Sequence, residues 1–470
     1  MDAFKKIIPQ SIKNIYHLAQ AVLANFMYGA PSLNIKVIGV TGTNGKTTVT
    51  QMIGKILEEA GFKVALASTI NFKIGEKEWI NKTKFTTLSS FQVQKFILDA
   101  VKAKCEYLVL ETSSHALDQN RVWGVKYQTA VITNVTREHF DYHKNFENYR
   151  AAKMKLFRKA KTAIVNLGME NPDEFFGFDN QKQYGYILEN QTSNLKSQKY
   201  ISKIKIIKAE NIKLGVNSSQ FTVNGSQFSI NLIGQFNIEN ALAAICVGIS
   251  ENISLETMVK ALEKIKVIPG RLEYVENNKN LNIIIDYAVT PDSLEKLYFL
   301  ISKLKSHPEP AEGSTRLDSS TSLGTTKPKI ISVLGACGER DRGKRPMMGE
   351  IVSRAADYII ITNEDPYNED PIQIINEVFE GVIGEKIYNS QFLISNKIPI
   401  SNDQINKKIE GYNCWRILDR REAIKKALQL AEAGDFVVVT GKGAEETMAV
   451  GKERIDWNDK RVILEELAKL

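Results

Sequence analysis

The chain has 470 residues, 43% of them hydrophobic and 25% charged, which is a length for about three domains and ample material for large cores. Its 62 basic and 54 acidic residues leave a net charge of +8, too mild to demand nucleic acid but compatible with a phosphorylated substrate. Four cysteines (Cys105, Cys246, Cys337, Cys414) form no CxxC pair, which argues against a disulfide framework or a clustered zinc site and fits a reducing cytosol.

No run of 18 apolar residues occurs and the start has no cleavage-site pattern, so neither a spanning helix nor a signal peptide is expected. Residues 11–28 carry Ile12, Ile15, Ala19, Val22, Leu23 and Phe26 at helical spacing. This stripe is expected to pack on protein rather than on a membrane surface. From Lys36 short apolar runs alternate with helical patterns. KVIGVT (36–41), KVALA (63–67), YLVLE (107–111), TAVIT (129–133) and AIVN (163–166) read as buried strands. Lys46–Ala60 reads as a helix with its stripe at Val49, Met52, Ile53, Ile56 and Leu57, ended by Gly61. Residues 196–232 alternate apolar and polar, with Asn224-Gly225 as a hairpin turn, so a small β add-on is expected.

After Pro269-Gly270 a second α/β segment begins, with strands at 283–288, 330–335, 358–362 and 435–441. Residues 306–328, rich in Pro, Ser, Thr and Gly, read as a disordered surface insertion. The fold class is therefore α/β: a central parallel-sheet domain with a P-loop and a β add-on, then a Rossmann-like α/β domain. The boundaries read as an N-terminal helical segment 1–34, a central domain 35–268 and a C-terminal domain 269–470.

Gly42-Thr43-Asn44-Gly45-Lys46-Thr47-Thr48 lies between a strand and a helix, where backbone N–H groups and the helix dipole favour phosphate. Lys46 would sit beside the β- and γ-phosphates and Thr47 would hold Mg²⁺. The match to the standard spacing is partial, because Val40 stands where a glycine is required. Glu111 ends its strand, Asn134 follows the next, and His139 comes five residues later. All three should reach the sheet edge that carries the phosphate loop, where the carboxylate and the imidazole beside Thr47 suit one or two Mg²⁺ ions, the carboxylate more naturally than the histidine. Residues 149–157 form a short amphipathic pattern in which Lys153 reads as an ordinary solvated lysine.

The phosphate loop, ETSSHALDQNRV (111–122) and NVTREHFDYH (134–143) together resemble the Mur ligases, in particular the tripeptide-synthetase (MurE) type. The resemblance continues through AAKMKLF (151–157), IGQFNIENALAA (233–244), IPGRLE (268–273), DYAVTPDSLE (286–295), GERDRGKRPMM (338–348) and GKGAE (441–445). It implies an ATP-dependent, ADP-forming amide ligase of cytoplasmic peptidoglycan precursor synthesis. Such an enzyme joins a diamino acid, L-lysine or meso-diaminopimelate, to UDP-MurNAc-L-Ala-D-Glu through an acyl phosphate.

By the same resemblance Thr47, Glu111, His139 and a carbamylated Lys153 (N-carboxylysine) hold Mg²⁺, and an unmodified lysine reaching a phosphate is the alternative. Gly42–Thr48, Asn237, Asn240, Arg271 and Asp286 are expected at ATP. Thr86, Thr87, Ser113, Gln119 and Arg121 are expected at the muramoyl peptide. Arg340, Glu364, Asp365, Tyr367, Gly441 and Glu445 are expected at the incoming amino acid. A monomer is expected, with no nucleic-acid partner.

Three departures accompany the resemblance. The family's separate UDP-binding domain has no counterpart in the 35 residues before the first strand. Tyr367 replaces the arginine that reads the distal carboxylate of diaminopimelate, and Glu364, Asp365, Glu369 and Asp370 would suit a distal amine, which leans towards L-lysine. Val289 and Ala444 replace two family histidines. The competing readings are a folylpolyglutamate- or cyanophycin-synthetase-like ligase and a non-catalytic nucleotide-binding cell-wall assembly protein.

Overall fold

The computed structural model describes residues 9–83, 85–192, 203–215, 217–306, 327–384 and 408–470, so the expected insertion at 306–328 lies almost wholly outside the described residues. Two compact units are present: Met1–Thr136 with Tyr142–Ile268, and Arg137–Asp141 with Pro269–Leu470.

Among the described residues, the first unit is built on eleven strands. They are β1 (Lys36–Thr41), β2 (Val64–Ala67), β3 (Asn71–Ile74), β4 (Lys77–Ile80), β5 (Tyr107–Glu111), β6 (Tyr127–Ile132), β7 (Thr162–Asn166), β8 (Lys182–Leu188), β9 (Lys205–Leu214), β10 (Ser219–Val223) and β11 (Ser226–Ile230). The sheet order is β11-β10-β9-β8-β7-β6-β1-β5-β2-β3-β4. The run from β9 to β2 is parallel, and antiparallel strands extend it at both edges. The central strands are apolar on both faces because helices cover both. On one face the helix Lys46–Glu59 buries Val49, Met52, Ile53, Ile56 and Leu57 among Leu242, Ile245 and Met258. On the other, Val93, Phe96 and Ile97 of the helix Ser90–Lys102 join Leu156 and Phe157 of the helix Phe146–Phe157.

The β add-on continues the main sheet instead of standing apart. Asn224 (φ 48°) and Gly225 (φ 81°) make the turn between β10 and β11, both in the left-handed region that this hairpin requires. The strands β3, β4 and β8 carry no clear period-2 signal and were not legible in the sequence.

The N-terminal helix Gln10–Met27 forms as expected, but its apolar stripe faces the other way. Ile12, Ile15, Ala19, Val22, Leu23 and Phe26 are exposed, whereas Ala21 and Ala24 are buried on the side that meets the helix Ser90–Lys102. Two small residues allow close approach there. Polar bonds reinforce it: Asn14 donates to Asp118 (3.1 Å) and Gln10 to the Tyr142 hydroxyl (2.9 Å).

The second unit carries a six-stranded sheet among its described residues, in the order β12-β13-β17-β14-β15-β16. The strands are β12 (Glu273–Val275), β13 (Asn282–Asp286), β14 (Ile330–Leu334), β15 (Tyr358–Thr362), β16 (Cys414–Ile417) and β17 (Phe436–Thr440). All neighbours are parallel except β12 against β13. A hairpin, β18 (Thr447–Val450) and β19 (Glu453–Asp456), follows. Among the described residues no helix is long and apolar enough to cross a membrane.

Candidate active site

The parallel register of the first sheet sets the phosphate loop. Val40 stands opposite Glu111 and Thr41 opposite Ile132, so β1, β5 and β6 end at one level. Ligands of such sheets bind beyond these carboxyl ends. The loop is held from β6: Asn44 N–H donates to Asn134 Oδ1 (2.9 Å), Asn134 Nδ2 donates to the Asn44 carbonyl (3.1 Å), and Thr133 Oγ1 donates to the same carbonyl (2.6 Å). Gly42 tolerates no side chain, since a Cβ there would lie 1.8 Å from Thr133 Oγ1. Gly45 (φ 83°) begins the helix Lys46–Glu59 with no side-chain cap, which leaves this helix end to an anionic ligand. Asn240 Oδ1 would lie 2.3 Å from a Cβ on Gly45, and Asn240 Nδ2 donates to Asn237 Oδ1 (3.1 Å), so Asn240 sits against the loop and Asn237 holds it there.

Lys46 Nζ folds over the loop, donating to the carbonyls of Gly42 (3.1 Å) and Thr43 (2.8 Å). Thr47 Oγ1 donates to the Glu111 carboxylate (3.1 and 3.2 Å). Glu111 is buried and also accepts from Thr69 N–H (2.7 Å) and Thr69 Oγ1 (2.9 Å). One carboxylate and one hydroxyl, both hard oxygen donors, fit Mg²⁺ that keeps water and nucleotide phosphates as its other ligands. Among the described residues no cluster of three or more His, Cys, Asp and Glu side chains suits a metal without such help.

Lys153 corrects the sequence reading: it is buried, not solvated. Its Nζ donates to the Gly42 carbonyl (2.7 Å) and stands 4.3 Å over the Tyr149 ring. Thr86 meets Thr69 (Oγ1 to Oγ1, 3.2 Å). Thr87 Oγ1 donates to the Glu111 carbonyl (3.0 Å) and accepts from Ser113 N–H (2.9 Å). Arg121 donates to the Thr87 carbonyl (2.7 Å), and Gln119 hydrogen-bonds Tyr142. Arg121 Nε has no hydrogen-bond partner, and burial lowers the guanidinium to about 10, conditions that favour an anionic ligand. His139 lies in the segment Arg137–Asp141, which clusters with the second unit, with φ 59° and Nε2 3.5 Å from Glu138.

In the second unit the expected residues gather at the carboxyl ends of β13, β14, β15 and β17. Asp286 accepts from Leu272 N–H (2.7 Å); burial raises its carboxyl to about 6 against the opposing charge of Arg271. The Arg271 guanidinium stands 4.6 Å from the Tyr287 ring centre. Glu364 is buried with no partner for Oε2, which lies 2.8 Å from where a Cβ on Gly441 would be. Burial, aided by Asp365, pushes this carboxyl up to about 7, while Lys442, Arg420 and Lys344 oppose the shift. Buried Lys442 bridges Asp365 (2.8 Å) and Glu445. The Arg340 guanidinium stands 5.7 Å from the Tyr367 ring centre.

The four acids expected to greet a distal amine separate here. Glu369 is taken by buried Arg345 (2.9 Å), and Asp370 caps the helix Pro371–Ile383 by accepting from Ile372 N–H (2.9 Å). Val289 offers its carbonyl to Lys344 Nζ (2.8 Å), and the Ala444 amide would lie 2.0 Å from a Cβ on Gly270. Sequence reasoning missed Thr69, Thr133 and Lys442. Lys442 was available within GKGAE and Thr133 beside Asn134, but nothing in the sequence marks Thr69.

The Mur ligase middle domain matches residues 40–248, and the Mur ligase glutamate ligase domain matches residues 270–443. A UDP-N-acetylmuramoyl-L-alanyl-D-glutamate--2,6-diaminopimelate ligase of Clostridium botulinum is 37% identical over 457 residues, 96% of this chain and 81% of that protein. The enzyme of the same name from Clostridium tetani is 35% identical over 475 residues, 100% of this chain and 85% of that protein. A solved structure of a ligase with this name superposes with a TM-score of 0.54 at 26% identity, covering 93% of this chain and 78% of that one. With both domain matches in order and relatives aligned along almost the whole chain, the protein belongs to the Mur ligase family of ATP-dependent amide ligases.

Proposed function

We propose that the protein joins 2,6-diaminopimelate to UDP-N-acetylmuramoyl-L-alanyl-D-glutamate, with release of ADP and phosphate. The observation that carries this reading is the Thr47–Glu111 hydrogen bond (3.1 Å) beneath a phosphate loop already covered by Lys46. The donor carboxylate is a poor electrophile; transfer of the γ-phosphoryl group of ATP onto it forms an acyl phosphate with a good leaving group. The acceptor amine then attacks the acyl carbon, the C–O bond to phosphate breaks, and the amine proton is lost to solvent or a nearby base.

In this reading Lys46 screens the β- and γ-phosphates, and Asn134 and Thr133 hold the loop in shape. Thr47 and Glu111 would hold Mg²⁺, which supplies charge neutralisation between phosphate and carboxylate. Thr86, Thr87, Ser113, Gln119 and Arg121 would orient the donor peptide. Lys153 as N-carboxylysine would add a second anionic ligand beside the loop, and His139 is the further metal ligand that the family resemblance implies. Asn237, Asn240, Arg271 and Asp286 would contact the nucleotide.

Arg340, Glu364, Asp365, Tyr367, Gly441 and Glu445 would hold the acceptor. The names of the relatives support diaminopimelate, and Arg340 beside Tyr367 brings a cation near the place of the missing arginine. L-Lysine is the second reading, favoured by Tyr367 itself, since a phenol makes no bidentate charged pair with a carboxylate. The four cysteines are free, which fits work in the cytoplasm. The test is ADP release with both substrates, competition between the two diamino acids, and the product mass. Release without either substrate, or no product of the combined mass, overturns the reading.

A further inference from the structure

Thr43 of the phosphate loop is buried, and its hydroxyl is fully engaged. A hydroxyl offers one hydrogen and two lone pairs. Thr43 Oγ1 donates to the Thr136 carbonyl (3.2 Å) and accepts from Thr136 N–H (2.9 Å). Its second lone pair faces the Tyr149 hydroxyl, 3.0 Å away, which is therefore the donor of that bond. The backbone of Thr43 is held as well: its N–H donates to the Asn134 carbonyl (3.0 Å), and its carbonyl accepts from Lys46 Nζ (2.8 Å).

Tyr149 is itself fixed. It lies in the helix Phe146–Phe157, whose start is capped by Asn145 Oδ1 accepting from Asn148 N–H (2.8 Å). The side chain is 1% exposed, and its ring packs against that of His143 with centres 5.2 Å apart. Lys153, one helical turn further on, places Nζ 4.3 Å from the ring centre and donates to the Gly42 carbonyl (2.7 Å). One side chain thus meets the loop at Thr43 directly and supports the lysine that meets it at Gly42. A phenylalanine would fill the same space, and a buried phenol is costly unless its oxygen is bonded, so the hydroxyl is the informative atom.

We propose that Tyr149 is a positioning residue for the nucleotide: its hydroxyl holds Thr43, and with it the backbone N–H groups of the loop, in the shape that receives the phosphates of ATP. The inference rests on the reading that Gly42–Thr48 holds ATP. Without the bond the loop spends less time in that shape, and affinity falls with the competent fraction.

Calorimetric titration of ADP with Mg²⁺ into the full chain, together with initial rates against ATP, tests it. Tyr149→Phe keeps the ring beneath Lys153 and removes one oxygen, so circular dichroism should be unchanged. ADP should bind about tenfold more weakly and KM for ATP should rise about tenfold, with kcat lowered by less than about threefold. Thr43→Val removes the other partner and should weaken ADP as well, and the double variant should bind no more weakly than the worse single one, because the bond is lost only once. Wild-type ADP affinity in Tyr149→Phe overturns the proposal, and a lowered melting temperature beside that affinity assigns the tyrosine to packing alone. Full additivity with Thr43→Val overturns it too. Lys46→Ala separates the two readings. If it weakens ADP binding and Tyr149→Phe does not, the loop still holds nucleotide and only this inference falls; if it binds ADP like the wild type, the loop reading falls and takes the inference with it.

Discussion

Thr47 and Glu111 are 64 residues apart in sequence, and Thr47 Oγ1 donates to the Glu111 carboxylate at 3.1 Å. The pair arises because β1 and β5 are parallel neighbours in register, so the residue opening one helix and the residue ending the next strand share an edge. In the proposed reaction this hydroxyl and this carboxylate would hold a divalent cation as a pair.

Removing either side should therefore act on turnover rather than on folding. Glu111→Gln keeps acceptor capacity for Thr69 but removes the charge, and should lower kcat about 100-fold or more. Thr47→Ala should act in the same direction and raise the Mg²⁺ concentration needed for half-maximal ADP release. Magnesium titrations of both variants provide the check, and an unchanged requirement would count against the pair.

Lys153 offers a chemical test. Its Nζ lies 2.7 Å from the Gly42 carbonyl, within the phosphate loop. Lys153→Ala should be inactive, and acetate or formate should restore part of the activity if a carbamate is the working form. Absence of rescue, with activity retained by Lys153→Arg, would assign the role to an ordinary cation.

Glu364 sets a pH dependence. Its carboxyl is raised to about 7 by burial, so it is mostly neutral below that pH and ionised above. An ionised Glu364 attracts the ammonium of a diamino acid, so the acceptor KM should fall by roughly tenfold between pH 6 and 8. Glu364→Gln should flatten that profile. Folding runs in the opposite sense: the raised carboxyl opposes the native state increasingly as pH climbs from the unfolded value towards 7, and Glu364→Gln should remove that slope from denaturant titrations.

Arg420 and Asp459 form a fully buried pair (2.7 Å), and Arg420 also donates to the Thr440 carbonyl (2.9 Å) at the end of β17. Asp459→Asn leaves the guanidinium without its counter-charge and should cost about 3–5 kcal/mol in urea unfolding. Trp457 Nε1 donates to Asp459 (2.8 Å), so indole fluorescence reports the same transition.

The phosphate loop, the buried strands and the acidic turn after β15 were legible because each is a local pattern. Glycines at a strand–helix turn and β-branched runs carry their meaning within a few residues. Glu369 and Asp370 show the limit. They sit in the same acidic run as Glu364, yet one neutralises Arg345 and the other caps a helix, and only packing assigns those tasks. Lys153 shows it again, since an amphipathic pattern places a lysine on a helix face without saying what covers that face.

Backbone demands and short motifs thus stood in the amino-acid order alone: the glycine-rich turn suited to phosphate, the buried central strands, and the family to which the chain belongs. Tertiary packing decided the rest. It joined Glu111 to Thr47 and Thr69, buried Lys153, left Glu364 without a neutralising partner, and turned the apolar side of the first helix outward. The physical reason is that periodicity fixes which residues share a face, whereas the direction of that face depends on contacts made by residues far away in the chain.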